Sequence, residues 1–312
     1  MSAALSRSPA LERPRSWLQP LDTLGGGPRK RFAYAQESYF QEAYQEFAGR
    51  FRREGLERLH SRSFLIFKPD AAAGRCVEAC LDAMAVEGLI IRGARLIRFT
   101  RPLARELWRY ELNLSTYDRY PGVDALLVGR LGLLVLLEDP AREGDLSRRL
   151  SAWKGPSALA RREAHHLRSR LGAGDGMLNF VHTPDETLDV LRELGVLFDR
   201  EERDELFSLL TRPYAVKVDW DAMLQTFYGE IPRHSLDLRE IRSRLAGVEG
   251  SAFDALVAQG PRANSFGEFE RAFRARFPGA GEWDVLTVFL VGRDCEVPGI
   301  ARALTEDGGP VA

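Results

Sequence analysis

Apolar positions recur every three to five residues from Tyr34 to His60, at Phe40, Tyr44, Phe47, Phe51 and Leu56. This spacing predicts a helix with one buried face. Ser63-Phe64-Leu65-Ile66-Phe67 is a short apolar run of strand length. The pattern then returns to helical spacing over Val77–Val86, closed by Gly88. Leu89 to Phe99 reads as a second strand and Pro102 to Leu112 as a helix. Leu131–Leu137 (LGLLVLL) is the most apolar stretch, and its length suits a central strand. Helices are expected near Ala141–Trp153 and Ser157–Arg170. A glycine-rich turn, Gly172 to Gly176, leads to a short strand over Met177–Val181. Thr183-Pro184-Asp185-Glu186 has the form of a helix start, with Thr183 as cap, Pro184 in the first turn and Glu186 completing a capping box. That helix should run to about Leu194.

Beyond Asp199 the helical signal dominates, over Glu201–Leu210, Trp220–Tyr228, Leu236–Leu245, Ala252–Ala258 and Phe266–Phe277. The centre alternates strands and helices in an α+β pattern compatible with a ferredoxin-like antiparallel sheet covered by helices, with helical N- and C-terminal extensions. The expected organisation is a flexible arm over 1–33, rich in Pro, Gly, Ser and Arg, and a helical strap over 34–61. An α+β domain over 62–199 and a helical C-terminal part over 200–312 follow.

Composition narrows the function classes. The 312 residues carry 44 Lys+Arg against 45 Asp+Glu, a formal charge of −1. That balance gives no general attraction to nucleic acid or anionic membrane, and neither partner is expected. Cys76, Cys80 and Cys295 are too few and too unevenly placed for a disulfide framework. The first residues, Met1 to Ser16, carry charges and prolines where a signal peptide needs an apolar run, and a cytoplasmic location is expected. Lysine is scarce: Lys30, Lys68, Lys154 and Lys217 stand among many arginines, so a lysine inside a motif carries information.

Two segments concentrate chemistry. Phe67-Lys68-Pro69-Asp70 follows the first strand, where a proline fixes the chain and a lysine can enter a crevice at the sheet end. Asn179-Phe180-Val181-His182-Thr183-Pro184-Asp185 puts a histidine at a strand end before a helix N-terminus. His165-His166 are adjacent on a helix and diverge by about 100°, so they do not make a metal pair. Gly25–Gly27 and Gly172–Gly176 lack the flanks of a P-loop or dinucleotide fingerprint.

These segments resemble the nucleoside diphosphate kinase family. Its first strand carries "IKPD" and its active histidine lies in "N-x-x-H-G-S-D", matched here by Phe67–Asp70 and Asn179–Asp185. Leu167-Arg168-Ser169-Arg170-Leu171-Gly172 resembles the family's "I-R-x-x-F-G". Glu193 lies eleven residues after His182, where the family keeps a glutamate that bonds the histidine. Tyr110 falls near a family tyrosine of the phosphate site, and Arg149, or Arg148, near a second arginine. The resemblance implies transfer of a γ-phosphoryl group from a nucleoside triphosphate to His182 and then to a nucleoside diphosphate. Glu193 would orient the ring; Lys68 and Arg168 would neutralise phosphate charge; Arg149, Tyr110 and Asn179 would hold the nucleotide. It also implies Mg²⁺ bound with the nucleotide.

The departures matter. Thr183-Pro184 replaces the family's Gly-Ser after the histidine. Lys154-Gly155-Pro156-Ser157 and Ala164–Arg168 replace a "T-x-P-x-x-A-x-P-G-T-I-R" stretch that also serves family oligomers, so a homo-oligomer need not be the usual hexamer. The family's base-stacking phenylalanine has no clear counterpart, with Tyr117 or Tyr120 as candidates. Two other functions are therefore compatible with the sequence. One is a nucleotide-binding sensor without turnover; the other is a specialised phosphotransferase acting on a non-standard nucleoside metabolite.

Overall fold

The computed structural model describes residues 21–113, 117–141, 144–213, 215–245, 250–291 and 293. Most of the expected N-terminal arm, and Cys295, lie outside them. The described chain begins with α1 (Pro28–Tyr34) and α2 (Ser38–Leu59). The arm therefore ends in a helix rather than a coil, because Pro28 fits a first helical turn. Next come β1 (Arg62–Phe67), α3 (Pro69–Gly74), α4 (Val77–Val86) and β2 (Ile90–Arg98). The helix expected over Pro102–Leu112 is two pieces, α5 (Arg101–Leu107) and α6 (Arg109–Leu112), broken where Trp108 leaves helical geometry at φ −106°, ψ 33°. They are followed by α7 (Tyr120–Leu127), β3 (Leu131–Glu138), α8 (Leu146–Lys154), α9 (Leu167–Arg170) and β4 (Val181–His182).

The sheet order is β2-β3-β1-β4 with every pairing antiparallel, a ferredoxin-like arrangement. β1 and β3 are buried at every position. Their unbroken apolar runs are explained by cover on both faces, with α2, α8 and α10 (Thr187–Leu197) packed on β1 and α11 (Arg200–Thr211) on β2 and β3. Helices α12 (Trp220–Gly229), α13 (Leu238–Leu245), α14 (Gly250–Gln259), α15 (Phe266–Arg276) and α16 (Glu282–Leu290) complete the C-terminal extension. One continuous apolar cluster runs from Leu21 to Leu290. Among the described residues no helix is long and apolar enough to cross a membrane.

Three local departures shape the site. The helix expected over Ser157–Arg170 is a loop with a single 3₁₀ turn and the short α9. Arg162 holds that loop by donating to the carbonyls of Pro156 at 2.9 Å and Ala173 at 2.8 Å. The strand expected over Met177–Val181 shrinks to Val181–His182, because Phe180 sits at φ 65° and cannot continue a ladder. Thr183 does not cap the next helix. Instead α10 starts at Thr187, with the Glu186 N–H donating to Asp189 at 2.9 Å and the Thr187 N–H to Asp145 at 3.0 Å.

α10 lies close against α2. A Cβ on Gly195 would stand 2.4 Å from the Tyr39 carbonyl oxygen, so only glycine permits this approach. Behind α10 a buried polar cluster joins it to the N-terminal helices. Lys30 reaches Asp189 at 2.5 Å and Glu186 at 3.3 Å, the Tyr34 hydroxyl donates to Asp189 at 2.5 Å, and Arg192 donates to Glu37 at 2.7 Å.

Candidate active site

Lys68 leaves the end of β1 and His182 lies on the neighbouring β4, paired with Ile66. The two chains are stitched beyond the ladder. The Lys68 N–H donates to the Phe180 carbonyl at 2.8 Å, and the Phe180 N–H donates to the Asp70 carboxylate at 2.8 Å. The Asp of the Lys-Pro-Asp segment thus fixes the left-handed residue that aims His182. The Lys68 ammonium donates to the Met177 carbonyl at 2.6 Å and lies 3.7 Å from Asp70.

His182 Nε2 is 2.7 Å from Glu193 Oε2, and both side chains are largely buried. An ionised carboxylate can only accept, so the ring proton belongs on Nε2 and the lone pair on Nδ1. Nδ1 has no partner among the described residues. The Trp108 ring meets the imidazole edge-on with centroids 5.3 Å apart.

His182, Lys68, Arg168 and Asn179 line one cleft of about 450 Å³. Glu193 stands behind the ring. Arg168 is held by backbone: its nitrogens donate to the carbonyls of Asn179 at 3.2 Å, Gly155 at 2.6 Å and Val181 at 2.8 Å. The Asn179 amide donates to Gly176 at 2.7 Å. The remaining wall is apolar around Leu112, Val123 and Leu126.

Two residues expected at the nucleotide lie elsewhere. Tyr110 donates to Glu37 and stacks under the Arg192 guanidinium, 5.1 Å from its ring centroid, in the buried cluster behind α10. Arg149 pairs with Asp139, with its side chain 43% exposed. Helical phase explains the second case: Arg149 and Ser151 are two positions apart on α8, about 200° around the axis, and Ser151 faces the cleft. Arg148, the alternative, pairs with Glu186. Neither aromatic candidate for the base reaches the cleft. Tyr117 is exposed and Tyr120 donates to the Leu112 carbonyl at 2.8 Å.

The cleft also holds residues that the motifs did not single out. Trp108, two positions before Tyr110, supplies the aromatic wall. Lys154 ends α8, and Gly155 after it adopts φ 79°, where a Cβ would collide with the His166 ring at 2.6 Å. The scarcity of lysine was the available signal for Lys154. Burial pushes the Lys154 ammonium below its ordinary pKa, against the opposing charge of Asp185. Its place in the cleft wall raises the Asp185 carboxyl, although its side chain is 54% exposed, and Lys154 and the Ser151 hydroxyl outweigh this and hold it at about 2. Glu111 lines the same cleft, and burial raises its carboxyl. Among the described residues no three His, Cys, Asp or Glu side chains are grouped to hold a metal ion. A divalent cation serving this cleft would bring its own phosphate ligands.

Residues 61–203 match the nucleoside diphosphate kinase family model. Solved structures similar to the chain include the nucleoside diphosphate kinase of Aquifex aeolicus, at 21% identity over 46% of this chain and 97% of that one, with a TM-score of 0.38. A nucleoside diphosphate kinase family protein from Babesia bovis matches at 18% identity over 45% and 90%, TM-score 0.38. The Borrelia burgdorferi enzyme, with bound vanadate and ADP, matches at 13% identity over 54% and 96%, TM-score 0.37. No curated protein sequence matches the chain.

Proposed function

We propose that the protein is a nucleotide-dependent phosphotransferase that passes a γ-phosphoryl group through a phosphohistidine at His182. The observation that carries this reading is the 2.7 Å bond from His182 Nε2 to Glu193, which leaves Nδ1 as the basic nitrogen beside a cleft of cations. In the first half-reaction the Nδ1 lone pair forms a bond to the γ-phosphorus. The bond from phosphorus to the β,γ-bridging oxygen breaks, and its electron pair leaves with the diphosphate. The ring becomes cationic, and Glu193 stabilises it by holding the Nε2 proton. In the second half an acceptor oxygen takes the phosphoryl group and the N–P electron pair returns to Nδ1. Lys68 sits where it can offset phosphate charge. Mg²⁺, arriving with the nucleotide, would neutralise part of that charge.

The protein incubated with γ-labelled ATP and Mg²⁺ should acquire acid-labile, alkali-stable label. His182→Ala, folded by circular dichroism, should acquire none; undiminished label in that variant would end the mechanism.

A second reading, a nucleotide sensor without turnover, is favoured by Arg168, whose three nitrogens already bond backbone carbonyls. It is distinguished by a thermal shift with ATP in the absence of label and of exchange between triphosphate and diphosphate.

A further inference from the structure

Three cations line the cleft, and they differ in how well their donors are satisfied. Arg168 donates from each of its three nitrogens to backbone carbonyls, all within 3.2 Å. The Lys68 ammonium has the Met177 carbonyl at 2.6 Å. Lys154 has only longer contacts. Its ammonium is 3.4 Å from the Thr183 carbonyl and 3.6 Å from Asp185 Oδ1. Asp185 Oδ1 is already taken by the Ser151 hydroxyl at 2.5 Å, and the Asp185 side chain is 54% exposed. An ammonium withdrawn from water and left with long contacts is costly unless an anion completes it. α8 also fails to supply the arginine expected of it, since Arg149 turns away to Asp139.

We propose that Lys154 is the cation that grips the transferring phosphoryl group, while Arg168 serves as a clamp on the backbone that shapes the cleft. This rests on the phosphotransferase reading but adds a residue and a division of labour to it. Three rotatable N–H donors suit a phosphate whose oxygens move as bonds change. On phosphate binding, Lys154 exchanges its long contact with Asp185 for phosphate oxygens, and Asp185 keeps Ser151. Burial lowers the ammonium's affinity for its proton, and Asp185, Glu193, Arg168 and His182 are the charged or titratable groups facing it.

Two measurements decide it. The first is the labelling rate with γ-labelled ATP for wild type, Lys154→Met, Lys154→Arg and Arg149→Ala. Lys154→Met should label about 100-fold more slowly, the arginine variant should recover part of the loss, and Arg149→Ala should match wild type. The second does not depend on the nucleophile: the thermal shift given by inorganic tripolyphosphate. Wild type and His182→Ala should both be stabilised, and Lys154→Met should lose the shift while keeping its ligand-free midpoint. Should wild type take no label at all, the phosphotransferase reading fails, and the tripolyphosphate shift still tests Lys154. Wild-type labelling together with an intact shift in Lys154→Met would overturn the proposal, as would an intact shift in that variant alone.

Discussion

Arg192 and Glu193 are neighbours on one helix and belong to two opposite kinds of polar site. Arg192 sits in a sealed cluster: its guanidinium meets Glu37 and the carbonyls of Glu106 and Leu107, between the rings of Tyr34 and Tyr110. Lys30, Asp189 and Glu186 extend that cluster, each less than a tenth exposed. Glu193 instead supports a histidine at the mouth of a cleft where Lys154 keeps only long contacts. A buried polar group that is fully paired specifies a structure; one that is underpaired and faces a cavity specifies a ligand. The first cluster holds α10 in place against the N-terminal helices so that the second can present a histidine with one nitrogen held and the other available.

The largest effect should come from breaking the sealed side. Arg192→Met takes the guanidinium from the buried Glu37 carboxylate, leaving it the Tyr110 hydroxyl, and should cost about 3–5 kcal/mol of stability in denaturant unfolding. A loss below about 1 kcal/mol would mean that the cluster is not what anchors α10. On the open side, Glu193→Gln weakens one charge-assisted hydrogen bond of ~1.5–3 kcal/mol, so phosphohistidine formation should slow roughly 10- to 100-fold with the unfolding midpoint little changed. Equal losses of stability and rate would blur the distinction between the two sites. Tyr110→Phe sharpens it: loss of the hydroxyl to Glu37 should cost about 1 kcal/mol of stability and leave labelling untouched. The smallest effect concerns pH. The Asp185 carboxyl lies at about 2 against an ordinary 3.8, and a depressed carboxylate stabilises the fold above its unfolded pKa and loses that contribution as pH falls toward the folded one. Acid titration of wild type and Asp185→Asn should therefore show curves that differ above pH ~4 and converge near pH ~2. Curves parallel across the whole range would show that Asp185 is not held low by its neighbours.

Much of this was readable from residue order. The apolar runs of β1 and β3 named the central strands, and Lys68, Arg168, Asn179, His182 and Glu193 appear in the sequence in motifs that the fold brings together. What spacing could not resolve was angular phase. Arg149 lies two residues from Ser151, which lines the cleft, but two positions on one helix point to nearly opposite sides; Tyr110 follows the helix break at Trp108, which spacing does not reveal. Nor did periodicity reveal Phe180 at φ 65°, since the residue's own side chain gives no sign of a left-handed backbone. That conformation depends on a partner far away in sequence, the Asp70 carboxylate. Lys154 stands where the chain departs from the family pattern, so no motif singled it out; only the fold places it in the cleft with long contacts.

The brevity of β4 has a consequence apart from chemistry. A strand on the border of a sheet offers unpaired backbone groups to any passing chain, and long flat borders invite edge-to-edge association. Here the outer strand is only Val181–His182, preceded by a residue twisted out of extended geometry and followed within two positions by Pro184. A foreign strand would find almost no ladder to join, so the rim that carries the histidine is also blunted against unwanted growth of the sheet.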